Sequence, residues 1–217
     1  MTKTFAVSGQ HYLFNVQTFA HVVLALGGDA YQYALRDRTT QGVIDDVVCG
    51  KSELGVLFET SDTATELNAA LAAAGLVFNE LIESAPRIAL PASHPMVNAK
   101  SLTLEDMSDY PYLYFEQDEA SPVAFAEEAL AGVPRAKSIA TTDRASLSEL
   151  IIALNGYTVT SGILVGISDG AGLNTVPLET DVTLHLGYVS RAGEQLDEIG
   201  QRFVNTLQKN LVKYARF

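Results

Sequence analysis

Apolar positions recur along this chain in two rhythms. Continuous or loosely alternating runs at 4–7, 31–35, 54–58, 81–90, 137–140, 157–160, 174–178 and 182–190 have the spacing of β-strands. Between them stand stretches with helical spacing, at 12–26, 40–49, 63–74, 121–130, 145–154 and 194–214. In the first of these Leu13, Val16, Phe19, Ala20, Val23 and Leu24 fall near one face, and in the last Leu196, Ile199, Phe203, Leu207 and Leu211 do the same. Gly27-Gly28, Gly50, Gly75 and Asn155-Gly156 end four of the helices. Pro122 suits a first helical turn, where its missing N–H does no harm, and Asp143 suits an N-cap. Glu194, Asp197 and Glu198 open the final helix and Lys209, Lys213 and Arg216 close it, so its charges complement its dipole. The run LGVLF at 54–58 is apolar at every position, as in a strand covered on both faces. Strands alternating with helices predict an α/β chain with parallel pairing through right-handed crossovers.

Composition narrows the class. With 217 residues, 47% hydrophobic and 18% charged, the chain suits one large domain or two small lobes rather than a disordered segment. Fourteen Lys and Arg against 26 Asp and Glu leave a net charge of −12, a field that repels phosphate backbones. Nucleic acid is not an expected partner of this chain by itself. A single cysteine, Cys49, excludes an intrachain disulfide and fits a reducing compartment; placed in a helix with no activating His, it is expected to be a buried small hydrophobe. MTKTFAVSGQ has no signal-peptide core, and no apolar stretch approaches the roughly 20 residues of a membrane span, so the expectation is a soluble, cytoplasmic chain with no membrane partner.

The segment 87–113, RIALPASHPMVNAKSLTLEDMSDYPYL, joins an apolar strand, a His-Pro turn built on Pro91, His94 and Pro95, and a short helix carrying Leu104, Glu105, Asp106 and Met107. It resembles the effector-binding half of LysR-type bacterial transcription regulators, although Met96 stands where that family has Leu. Three further stretches match the same family in order. FAVSGQHYLFNVQTFAHVV resembles its first strand, turn and helix. GVIDDV followed by GKSELGVLF resembles its second helix and next strand, with Glu53 where Asp is commoner. SIATTDRASLSELIIALNGYTVTSGI resembles the strand, helix and turn of its second lobe, with the turn at Thr160, Ser161, Gly162 and Ile163. Leu164, Val165 and Gly166 replace the usual Leu-Pro after that turn, and the family's amino-terminal winged helix-turn-helix has no counterpart in the sequence.

The resemblance implies a type 2 periplasmic-binding-protein fold, an α/β architecture of two Rossmann-like lobes joined by two crossing strands. Residues 1–85 plus 186–217 would form lobe I and residues 86–185 lobe II, with hinges near 81–90 and 184–190. It also implies a small-molecule effector in the cleft, a homodimer with a tetramer open to the full-length protein, and DNA contact only through the helix-turn-helix domain missing here. Phe14, Thr18, Val22, Tyr31 and Tyr33 are the candidate dimer contacts. The alternative is a solute-binding protein of a transport system with the same fold.

Ligands of open α/β sheets collect at the carboxyl ends of strands, beside helix amino termini. Five such places occur here. Ser8, Gly9 and Gln10 follow the first strand and offer N–H groups and a hydroxyl to an anion; capping of its own helix is the competing role of Ser8. Phe58, Glu59 and Thr60, with Ser61, follow the strand at 54–58. Tyr114, Phe115 and Glu116 end the strand after Pro111. Thr141 and Thr142, with Asp143, close another strand, and Ser161, Gly162 and Ile163 the next. The basic residues near these turns are His11, Arg36, Arg38 and Arg144, while Glu59, Glu116 and Asp143 bring negative charge that would favour an amine or a neutral polar ligand if it faced the cleft. Catalysis is not expected: His11, His21, His94 and His185 are scattered, His94 belongs to its turn, and there is no zinc spacing, Walker loop or dinucleotide fingerprint. No cofactor and no metal site are expected, and GISDGAG at 166–172 lacks the Lys-Ser/Thr of a phosphate loop.

Overall fold

The computed structural model describes residues 2–163 and 172–215. The chain runs β1 (Lys3–Gly9), α1 (Leu13–Leu26), β2 (Tyr31–Asp37), α2 (Thr40–Val48), β3 (Leu54–Thr60), α3 (Ala64–Ala73) and β4 (Leu76–Ser84). It then crosses to a second body, β5 (Arg87–Pro91), β6 (Tyr112–Phe115), β7 (Ser138–Thr141), α4 (Arg144–Leu154), β8 (Thr158–Thr160) and β9 (Leu173–Pro177). Finally it returns through β10 (Leu184–Arg191) to α5 (Glu198–Tyr214). The two crossings, between Ser84 and Arg87 and between Pro177 and Leu184, are the double connection expected of this fold.

The first sheet has the order β2-β1-β3-β10-β4. β3 is buried at all seven positions because helices cover both of its faces. On one side Leu54, Val56 and Phe58 join Phe5, Phe14, Phe203 and Leu207 from β1, α1 and α5. On the other, Leu57 meets Val43 and Val47 of α2 and Leu67 and Leu71 of α3. Parallel pairing holds for β1 with β2 and β3, but β10 runs antiparallel to both β3 and β4. A returning strand that enters from the opposite body has to run that way. The second body pairs β5 antiparallel with β8 and β9, and a bridge from Tyr112 to Tyr157 ties this group to the parallel pair β6-β7.

Several expectations change. The helix at 121–130 is reduced to one 3₁₀ turn, Val123–Phe125, after which Ala126 turns extended and Leu130 takes φ 60°. Turns replace the short helix around Leu104, with Asp106 bonded to the backbone and hydroxyl of Thr103. α5 starts at Glu198, capped by Asp197, whose carboxylate accepts from the N–H groups of Ile199 and Gly200. β4 begins five residues earlier than its apolar residues indicated, since much of that stretch is only half covered. The buried face of α1 is Phe14, Asn15, Thr18 and Val22, not the stripe through Leu24, which is 86% exposed. Phe14, Thr18 and Val22 are therefore committed inside their own lobe, where Asn210 of α5 donates to the Thr18 hydroxyl at 2.9 Å, and of the named dimer contacts Tyr31 is the exposed one. Cys49 lies exposed at the end of α2 rather than buried. His94 is buried in its turn, its Nδ1 accepting from the N–H of Met96 at 3.1 Å, and burial lowers its pKa. Most of the glycine-rich stretch 166–172 falls outside the described residues. Among those described, no helix is long and apolar enough to cross a membrane.

Candidate functional site

The carboxyl ends of β1 and β3 face the second body, and what lies against them is the irregular chain after β6. Its side chains, not open solvent, fill most of the gap. Glu127 reaches the turn between β1 and α1, where its carboxylate accepts from the His11 backbone N–H at 2.8 Å. The His11 ring nitrogen Nδ1 lies 3.0 Å from both carboxylate oxygens, and Gln117 donates its side-chain N–H to the same group at 3.0 Å. The Tyr12 hydroxyl donates to the Glu127 carbonyl at 3.3 Å. His11 stacks on Phe115 with ring centroids 4.3 Å apart. The His11 and Glu127 side chains are 7% and 2% exposed, so this ion pair is closed off from water.

Further contacts cross beside it. Gln117 accepts from the Thr40 N–H at 3.0 Å, and the Thr40 hydroxyl donates to the Phe125 carbonyl at 2.7 Å while accepting from Gln10 at 2.7 Å. The Thr39 hydroxyl bonds Asp118 at 3.1 Å, and Arg144 pairs with Asp37 at 2.7 Å. Glu128, next in the chain, is 5% exposed and accepts from the Phe115 N–H at 2.8 Å, while its other oxygen, Oε2, has no partner. Burial, and then the Glu127 charge, push the Glu128 carboxyl well above its ordinary range. Of the hollows along this ribbon, one of about 290 Å³ lies on the side of Tyr114, Gln117 and Val123, away from His11, and two others meet at Glu128. One of about 90 Å³ lies against His11, Tyr12, Phe115, Arg144 and Ile163; the other, of about 200 Å³, lies between Phe58, Thr60 and Val123, and Glu128 walls both.

Of the residues named from the sequence, Phe115 and Ile163 line the hollow of about 90 Å³ and Phe58 and Thr60 that of about 200 Å³. Ser8 is wholly buried and its hydroxyl is engaged with Asp46 at 2.7 Å and Ser52 at 2.8 Å, in a cluster that also takes Arg38 and Lys51. Gly9 packs close to Asn15, and Gln10 spends its carbonyl on the Phe58 N–H at 3.1 Å. Glu59 accepts from Asn68 at 2.6 Å, and the Thr60 hydroxyl is held within its own turn by Asp62 and Thr63. Tyr114 stacks on Tyr112, Glu116 and Thr142 are exposed, and the Thr141 hydroxyl donates to the Tyr114 carbonyl at 3.3 Å. Ser161 accepts at its carbonyl from Ser84 at 2.9 Å, and Gly162 needs its positive φ where a Cβ would strike the Arg87 side chain. Sequence reasoning missed Glu127, Glu128 and Gln117, and counted His11 only as a nearby base.

Comparison with known proteins places this geometry. A family model described as the LysR substrate binding domain matches residues 32–212. The chain belongs to the LysR substrate-binding domain family. It is thus an effector-binding regulatory domain of the LysR type, which decides against the transport alternative. HinK, a LysR family transcriptional regulator from Pseudomonas aeruginosa, superposes with a TM-score of 0.67 at 17% identity over 99% of this chain and 72% of its own. A mutant OxyR of Corynebacterium glutamicum gives 0.69 at 15% identity, covering 98% of this chain and 65% of its own. The effector-binding domain of QuiR, solved with shikimate, gives 0.62 at 12% over the whole of both chains. At such identities these structures speak to the fold. No curated protein sequence matches the chain.

The interlobe ion pair gives this LysR domain a pH signature. Burial alone would lower the His11 pKa, but the hydrogen bond and charge of Glu127, with the field of Asp37, outweigh burial and Arg144 and leave it raised above 6.5. Glu128 is raised above 4.5. Both groups hold protons more tightly in the folded chain than in the unfolded one, so stability is complete below the unfolded values and is lost as pH rises. The contribution of Glu128 declines above 4.5 and that of His11 above 6.5. Calorimetry from pH 6 to 9 is expected to show a falling Tm, and His11→Gln should flatten the part of that decline above 6.5.

Proposed function

We propose that this domain senses a small metabolite taken up between lobe I, residues 1–85 with 186–217, and lobe II, residues 86–185. Because β10 is already in the first sheet at Leu184, the second boundary falls near that residue. The supporting observation is the convergence of buried and half-buried polar groups from both lobes, His11, Thr40 and Gln117 with Glu127, around small hollows at the strand ends. A ligand that contacts both lobes shifts their relative orientation by its differential affinity for the two arrangements, and in the intact regulator that shift reaches DNA. The site binds and does not turn over its ligand, since its donors and acceptors are paired with one another rather than arranged as nucleophile and base. A homodimer is proposed as well, with the uncovered apolar side of α1, including Leu24, and Tyr31 on β2 as its contacts.

The test is a thermal-shift screen of the chain against shikimate, aromatic acids, amino acids and sugar acids, followed by a bound crystal structure. A compound that raises Tm with concentration, is recovered chemically unchanged and lies between the lobes is the expected result. Stabilisation by a compound bound on the outer surface, or its chemical conversion, would overturn the reading.

A further inference from the structure

We infer that Glu127 is a built-in stand-in for the effector: His11 and Gln117 form a carboxylate seat that the chain fills with its own side chain, and an effector carboxylate enters by exchange. This rests on the sensing function proposed above and specifies its chemistry. Three donors converge on one carboxylate, the His11 backbone N–H, the His11 ring and the Gln117 amide, at 2.8 to 3.0 Å. His11 comes from the turn after β1, whereas Gln117 and Glu127 come from the second body, so the occupant of this seat is one of the links that hold the bodies together. Arg144 stands beside it in the wall of the smaller hollow. A carboxylate is therefore the chemistry this seat is shown to accept.

The occupant is also poorly fixed by its own backbone. The chain around Glu127 has no regular structure beyond one 3₁₀ turn, and Leu130 sits in the left-handed region that a branched side chain disfavours. Its neighbour Glu128 is buried with Oε2 unpartnered in the wall between the two hollows. Neither hollow, at about 90 and about 200 Å³, reaches the roughly 300 Å³ at which ligand pockets begin. Glu128 separates the two hollows, so withdrawing the Glu127-Glu128 ribbon would open one to the other beside the carboxylate seat. In the free domain the ribbon holds the lobes closed; the arriving carboxylate takes over His11 and frees the ribbon to move.

Chemical rescue tests the exchange on the full chain. Glu127→Ala empties the seat and should lower Tm, and sodium acetate at roughly 100 mM should then raise it by about 3–5 °C relative to sodium chloride of equal ionic strength. Wild type, its seat filled, should move by less than about 1 °C under the same conditions. Equal shifts in both proteins, or none in the folded variant, overturn the inference. Should Glu127→Ala not fold, Glu127→Gln keeps the packing while weakening the occupant: acetate should then displace the His11 backbone amide resonance in the variant and not in wild type, and an unmoved resonance is decisive against the idea. Rescue by acetate without any metabolite binding to wild type would leave the seat standing and count against the sensor. A metabolite seated between the lobes with Glu127 still bonded to His11 would do the reverse.

Discussion

Phe203→Ala is expected to lower the unfolding free energy by about 3–5 kcal/mol, seen as a drop in the urea midpoint with little change in slope. Phe203 is fully buried on α5 and is the ring through which that helix grips the first sheet, 5.9 Å from Phe5 of β1. Val204, Leu207 and Leu211 continue the same apolar stripe. Removing six carbons there leaves a void between a helix and a sheet that are both held by many other contacts and cannot collapse into it. Phe203→Leu should lose much less. A midpoint unchanged by the alanine variant would mean that α5 is not seated on β1 as described.

Gly187→Ala is expected to lower Tm by about 10 °C, following an overpacking cost of about 3 kcal/mol in a domain of this size. Between Leu186 and Gly187 the pairing of β10 with β4 skips Leu81, so that Leu186 faces Ile82 and Gly187 faces Glu80. At this bulge the strands come close: a Cβ on Gly187 would lie 2.3 Å from the Asn79 carbonyl oxygen and 2.8 Å from the Phe78 ring. A ring can rotate away, but a carbonyl within a sheet cannot without breaking its ladder. The variant must therefore open the last pairing of the first sheet, close to the strands that cross between lobes. Scanning calorimetry reads this directly, and a Tm within about 2 °C of wild type would contradict the close approach.

Much of the fold was legible because its strands and helices carry their burial in local pattern. The run at 54–58 is apolar throughout and became the fully buried β3, and glycine and Asn155-Gly156 punctuation marked helix ends within a residue or two. Pattern failed where tertiary contacts set the conformation. SPVAFAEEAL has the composition of a helix, yet Glu127 and Glu128 are drawn to the His11 and Phe115 amides, and no helix can present both in those directions while Phe125 offers its carbonyl to Thr40. The first half of β4 was missed because it is exposed at alternate and irregular positions beside β10. The direction of β10 was invisible for a different reason: nothing in an apolar run states from which side the chain enters.

The candidate site was legible as a region and not as a set of contacts. Turns after β1, β3, β6, β7 and β8 were correctly placed at strand ends by order alone. What each side chain does there depends on partners far along the chain, and one sequence does not reveal them. Ser8 meets Asp46 across 38 residues, and His11 meets Glu127 across 116. The acidic residues weighed beforehand, Glu59, Glu116 and Asp143, turn to Asn68, to solvent and to a helix cap, while the decisive acid was hidden in a stretch assigned to a helix.

The place of β10 in the first sheet has a consequence for how the molecule is made. This strand is synthesised only after the whole of the second body, yet it lies between β3 and β4, each of which it pairs along much of its length. Until the ribosome has released residues 184–191, the nascent amino-terminal body exposes two unpaired edges where its mature form has an interior ladder. Those edges invite pairing with other chains, and the connection from β4 to β10 that must close to cover them takes up nearly half of the sequence. Assembly of this body therefore waits for the whole of the second, and chaperone demand should concentrate in that interval.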